Sequence, residues 1–134
     1  MEMKKIFILL LVLAVLMLCA CAKNPKSTSG VSTYRQISQS EAAEIMEKDK
    51  TCIILDVRTL DEYNEGHIPN AICIPNETIG DKEPSALPEK DQLILVYCRS
   101  GRRSKEAAGK LAAMGYTNIV EFGGIIDWTG EVVK

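Results

Sequence analysis

Leu93-Ile-Leu-Val-Tyr-Cys98-Arg99-Ser100-Gly101-Arg102-Arg103-Ser104 is the stretch that decides the fold. An apolar run of strand length ends abruptly in one cysteine, a short loop with a glycine follows, and Ser104 to Met114 carries the periodicity of a helix. Cys98 is therefore expected between the carboxyl end of a strand and the amino end of a helix. N–H groups at that point have no intrahelical partner, and the helix dipole adds partial positive charge, so an anion is stabilised there. The natural occupant is the Cys98 sulfur as a thiolate. A free thiol titrates near ~8.5, and helix amino ends with neighbouring cations bring that to roughly 3.5–7.5. Arg99, Arg102 and Arg103 are the cations at hand. A buried strand-end cysteine beside solvated arginines is the plainer alternative, but packing does not require a glycine loop and three cations around one thiol. The nucleophile reading needs the sulfur to face the loop N–H groups and an opening, not apolar neighbours.

Outward from this centre, strand and helix patterns alternate. Tyr34–Ile37 reads as a short strand, and Ser38-Gln-Ser-Glu41 as a capping box opening a helix over Glu41–Lys48, with Ala42, Ile45 and Met46 turned inward. Cys52–Leu55 is a buried strand ended by Asp56-Val57-Arg58, and Thr59–Glu62 is a second capping box for a short helix stopped by Gly66. His67–Asn70 forms a turn into the strand Ala71–Ile74. Residues 76–91, with Gly80, Pro84 and Pro88, are mostly loop with room for one helical turn. Gly115 follows the Ser104 helix, Asn118–Phe122 is the last strand, and Gly123-Gly124 turns away from it. Such alternation implies a parallel sheet covered on both faces, with the active centre at the carboxyl edge of the strands.

The 134 residues allow one domain of ordinary size, and a formal charge of −2 excludes an electrostatic nucleic-acid binder. The arginines near Cys98 are thus a local cluster suited to a small anion. With one histidine, His67, and no Cys-x-x-Cys pair, neither a zinc site nor a thioredoxin-like dithiol is expected. Cys52 and Cys73 fall in strands; two buried thiols are expected in preference to a disulfide, because strand-to-strand bridges fit the required geometry poorly. Trp128 is expected to close the domain by packing and not to serve as a ligand platform.

The amino end reads as an export address. Lys4 and Lys5 precede the apolar run Ile6–Leu18, and Leu18-Cys19-Ala20-Cys21 resembles a lipobox. That resemblance implies a lipoprotein signal peptide over residues 1–20, with Cys21 carrying a diacylglycerol and palmitate; an uncleaved membrane anchor is the alternative. Either way the domain is expected outside the bacterial cytoplasmic membrane, because basic residues before an apolar run stay inside. Residues 21–32 read as the lipidated Cys21 and a flexible tether, and residues 33–134 as the domain.

From Tyr34 to Lys134 the chain resembles the rhodanese-like domains. Asp56-Val-Arg58, Glu62-Tyr63, Gly66-His67-Ile68-Pro69-Asn70-Ala71, Cys98-Arg-Ser-Gly-Arg-Arg103-Ser104, and Gly123-Gly124 with Trp128 carry the resemblance in this order. It implies an α/β, three-layer fold with a five-stranded, mostly parallel sheet and helices on both faces. It also implies sulfane-sulfur transfer, from a donor such as thiosulfate to a thiol or cyanide, through a persulfide on Cys98 and with no cofactor or metal. Arg99, Ser100, Gly101, Arg102, Arg103 and Ser104 would cradle the sulfur. Asp56, Arg58, Glu62 and His67 would be structural support, with Arg58 pairing with Glu62 and His67 shaping a turn instead of acting as a base. A monomer is expected. A binding or persulfide-carrying module is the main alternative. Phosphatases and arsenate reductases of the same fold need a wider loop than the four residues between Cys98 and Arg103.

Overall fold

The computed structural model describes residues 33–134; the expected signal segment, Cys21 and the tether lie outside them. The elements in chain order are β1 (Arg35–Gln36), α1 (Gln39–Lys48), β2 (Ile53–Asp56), α2 (Leu60–Glu65), β3 (Ile72–Cys73), β4 (Ile94–Cys98), α3 (Arg102–Ala113) and β5 (Ile119–Gly124). Short 3-10 turns at Asn76–Thr78 and Ile125–Asp127 complete the path. The sheet order is β1-β5-β4-β2-β3, and all four pairings are parallel where a mostly parallel sheet was expected. Among the described residues no helix is long and apolar enough to cross a membrane.

Each parallel crossover carries the chain over one face, so the central strand β4 is buried along its whole length, which explains its unbroken apolar run. Successive side chains of β4 point to opposite layers. Val96 and Cys98 join Leu55, Val57, Ala107, Ala108, Leu111 and Ile119 under α3, whereas Leu95 and Tyr97 join Ala42, Ile68, Val120 and Phe122 under α1. Cys98 thus belongs to the α3 layer.

Both capping boxes form: Ser38 and Thr59 each accept from the N–H three residues on, and Glu41 and Glu62 reach back to the cap N–H. Because Ser38 is the cap, α1 starts at Gln39 and not at Glu41. Likewise α3 starts at Arg102, two residues before the expected Ser104, because Gly101 takes the cap position with φ +104°. That left-handed conformation is open to glycine and strained for other residues. Strands β1 and β3 are each two residues shorter than their apolar patterns, since only part of each run finds a pairing partner at a sheet edge.

Between β4 and β5 the register slips: Val96 faces Glu121, yet Cys98 faces Gly124, so β5 spends three steps where β4 spends two. This bulge, with Gly123 at φ +95°, sets Gly124 directly beside the cysteine. A side chain at Gly124 would collide with the Arg99 carbonyl and the Ser100 Cα, so the glycine pair lets the Cys98 loop lie against β5. Cys52 and Cys73 are free and half-buried, less enclosed than expected. Cys52 lies just before β2 and not in it, and Cys73 of the neighbouring β3 pairs with Asp56, about 13 Å along the chain from Cys52 at the usual rise, so no bridge can form. Trp128 packs on Phe122, ring centroids 5.9 Å apart, and its Nε1 donates to the Glu131 carbonyl at 3.1 Å. It also lines a cavity of about 440 Å³ on the α1 side with Met46, Cys52, Ile54 and Ile68.

Candidate active site

Cys98 ends β4, and its Sγ turns into the loop that leads to α3. The Gly101 N–H donates to Sγ at 3.0 Å, and Ser104 Oγ lies 3.4 Å away. Burial pushes the Cys98 thiol up, but the Ser104 hydroxyl and the N–H groups of Ser104, Gly101 and Ser100 outweigh it and leave the thiol below its ordinary value. The residue is 1% exposed and shares its other side with the apolar α3 layer. The expectation is met in one respect and corrected in another: the sulfur faces the main-chain donors, but it is covered where an opening was expected.

The arginines do not act as a ring of cations around that sulfur. Arg102 is 77% exposed and pairs with Glu106 at 3.4 Å, and Arg99 is exposed, its carbonyl accepting from the Ile126 N–H. Ser100 is exposed as well. Arg103 is the partly buried one, and its guanidinium forks onto Glu62 with two 2.8 Å bonds across 41 residues of chain. Arg58 does not pair with Glu62 as expected, because it turns back onto Asp56 at 2.6 Å and donates to the Gly66 carbonyl at 2.7 Å. Two carboxylate–guanidinium pairs therefore tie α2 in place: Asp56–Arg58 holds its end at Gly66, and Glu62–Arg103 links its first turn to α3.

The Arg103 fork, with help from the Thr59 N–H and hydroxyl, holds the Glu62 carboxyl down to about 2 against the opposing effect of burial. A carboxyl depressed on folding stabilises above its unfolded value and loses that contribution as pH falls through its folded one. Acidification from about pH 4.5 to about pH 2 should accordingly cost no more than about 3 kcal/mol at this pair. In Glu62→Gln that segment of the stability–pH curve should flatten; an unchanged curve from urea titrations at several pH values would show the fork to be energetically idle.

Asp56 is fully buried and accepts from Tyr97 Oη at 2.7 Å as well as from the Arg58 side chain and N–H. Tyr97 lies on the α1 layer, so this network sits behind the sheet from Sγ. His67 stacks on Tyr63 at 3.7 Å, its Nδ1 lies 3.0 Å from the Tyr63 carbonyl, and its backbone bridges to Val133. These contacts use it as a turn anchor. Burial, then the Asp56 charge, pushes the Cys73 thiol up to about 11, while burial raises Cys52, so neither has the setting of Cys98.

Glu121 is the residue that sequence reasoning missed. It is 3% exposed in the middle of β5, and its Oε1 accepts from Ser104 Oγ at 2.6 Å and from the Gly123 N–H at 2.9 Å. A single carboxylate inside the apolar run Ile119-Val-Glu-Phe122 was the available signal. Among the described residues no group of three or more His, Cys, Asp or Glu side chains is placed to hold a metal ion.

The sequence profile of the family described as Rhodanese-like domain matches residues 38–131. The thiosulfate sulfurtransferase PspE of Escherichia coli (strain K12) is 37% identical over 80 residues, covering 60% of this chain and 77% of the relative. The proposed sulfur carrier protein YrkF of Bacillus subtilis (strain 168) is 33% identical over 106 residues; the match covers 78% of this chain but only 56% of YrkF. Among solved structures, a rhodanese-related protein from Thermoplasma volcanium superposes with a TM-score of 0.63 at 32% identity, over 75% of this chain and 98% of the other.

Proposed function

The chain belongs to the rhodanese-like domain family, and from that premise we propose that it is a sulfurtransferase working through a persulfide on Cys98. The observation that carries the reading is the setting of one sulfur at the mouth of α3, beneath the Gly101 N–H and beside the Ser104 hydroxyl. The Cys98 thiolate attacks the outer sulfur of a donor such as thiosulfate, the S–S bond of the donor breaks, and sulfite leaves with the bonding pair. The new terminal sulfur carries the negative charge. Loop N–H groups and the α3 dipole stabilise it, as preorganised donors do in an oxyanion hole. A thiol or cyanide then takes that sulfur, and the bonding pair returns to Cys98. Two half-reactions of this kind give ping-pong kinetics.

Intact-mass measurement after a single turnover tests the reading. Thiosulfate should add one sulfur to Cys98, cyanide should remove it, and thiocyanate should accumulate over many cycles. Similarity to YrkF favours stoichiometric sulfur carriage as the second reading: uptake of one sulfur without turnover would select it. Hydrolysis of an aryl phosphate with no sulfur uptake would overturn both. The domain is proposed to work outside the cytoplasmic membrane on a Cys21 lipid, on the strength of the basic lead, the apolar run and the lipobox-like Leu18–Cys21.

A further inference from the structure

We propose that Glu121, acting through the Ser104 hydroxyl, receives the Cys98 proton when sulfur is taken up and returns it when sulfur leaves. The inference rests on the persulfide reading above and deepens it.

Ser104 Oγ stands between two groups that both want its hydrogen. Glu121 Oε1 is 2.6 Å away and Cys98 Sγ 3.4 Å; the Gly101 and Gly123 carbonyls lie at 3.0 and 3.4 Å. A hydroxyl has one proton to give and lone pairs to receive another. The observed spacing fits a thiol that donates to Oγ while Oγ–H donates to the nearer, ionised Glu121. The same heavy atoms also fit the reverse polarity, with Glu121 O–H donating to Oγ and Oγ–H donating to an anionic sulfur. Passing between the two moves one proton from sulfur to oxygen and another from oxygen to carboxylate. In the proposed relay the two groups share one negative charge across the hydroxyl, which spares the buried site a second anion.

Sulfur uptake then balances within the site. The Cys98 proton passes through Ser104 to Glu121, the thiolate so formed attacks the outer thiosulfate sulfur, sulfite departs with the bonding pair, and the proton stays on Glu121. When cyanide takes the terminal sulfur as thiocyanate, the thiolate left on Cys98 recovers that proton through Ser104. The enclosed charge stays at minus one throughout, which avoids the cost of a second buried anion.

Apart from Arg103, the other charged groups around the site have partners elsewhere or lie exposed. On α3, Arg103 is the cation that faces the thiol, held by its fork on Glu62 and also acted on by the Cys98 and Glu77 charges; Arg102 and Lys110 are bound to Glu106, while Lys105 is exposed. On β1, Gln36 pairs beside Glu121, and Arg35 is exposed. Asp56 of β2 is turned to Arg58 and Tyr97 behind the sheet, and Lys90 of the loop before β4 pairs with Glu83. In the Cys98 loop itself Arg99 is exposed.

The experiment measures single-turnover sulfur uptake from thiosulfate against pH in the full-length protein and in Glu121→Gln, which keeps an acceptor for the Gly123 N–H but cannot take the proton. The acid limb should move to higher pH in the variant, with uptake on the acid side reduced on the order of 10²-fold and recovering as solvent ionises the thiol. An acid limb that stays in place or moves down would show Glu121 to be an anchor or a like-charge brake and overturn the proposal. Infrared difference spectra of the wild type give a reading free of folding effects. A protonated-carboxyl C=O band should appear on sulfur loading, vanish on cyanide treatment and be absent from Glu121→Gln; its absence from loaded wild type sinks the relay. Intact mass reports the sulfur itself, so a missing band with a full mass gain discards the relay and leaves the persulfide standing.

Discussion

Replacing Cys98 with serine should reduce thiosulfate:cyanide sulfur transfer to the uncatalysed background while leaving the domain folded. A serine hydroxyl at neutral pH is neither appreciably ionised nor able to hold a labile sulfane sulfur, so both half-reactions lose their carrier atom. The fold has little reason to object. Oxygen is smaller than sulfur, the Gly101 N–H at 3.0 Å still finds an acceptor, and Ser104 Oγ remains in reach. The stability change should stay within about 1 kcal/mol, the ordinary size of a conservative buried change. Cyanide-dependent thiocyanate formation and a urea melt on the same preparation make the check. Turnover by Cys98→Ser comparable to wild type would remove Cys98 from the reaction, and loss of the melt would make the inactivity uninformative. In that event the intact-mass measurement on the wild type decides the matter.

The largest stability effect should come from Asp56→Ala. The carboxylate is fully buried and holds the Arg58 guanidinium, the Arg58 N–H and the Tyr97 hydroxyl together. Removing it leaves a buried cation with only the Gly66 carbonyl and the face of the Tyr97 ring, 5.7 Å away, as observed partners, and a phenol without its acceptor. Breaking one side of a buried pair costs about 3–5 kcal/mol, a large part of the roughly 5–15 kcal/mol that holds a domain together. Asp56→Ala/Arg58→Met should recover a good part of that loss, since the cost lies in the stranded charge and not in the missing attraction. A urea midpoint for Asp56→Ala within about 1 kcal/mol of wild type would mean that Arg58 finds water or another partner at no cost. Asp56 also sits behind the sheet from Sγ, so any protein that stays folded should retain sulfur transfer.

What was legible in the chain follows from distance along it. Both capping boxes join residues three apart, and such contacts depend on local backbone geometry alone. The cysteine between strand and helix is legible for the same reason, because its nearest N–H donors come from the next few residues. Glu62 could be assigned to its own cap, Thr59, but not to Arg103, which reaches it across 41 residues. The local rule of helix-neighbour pairing pointed instead to Arg58, and Asp56, two residues away and already buried, won that guanidinium.

The sequence by itself determined the alternation of strand and helix, the place of Cys98 at a strand's carboxyl end, and the glycines at 101, 123 and 124. Their purpose it left open. Tertiary structure alone decided that a bulge in β5 sets Gly124 against the Cys98 loop, that Ser104 turns inward and not onto solvent, and that Glu121 waits 2.6 Å beyond it. The reason is physical: spacing along a chain fixes which groups share a turn or a face, whereas the neighbour across a parallel sheet depends on strand order and register. Those are set by burying the whole core at once.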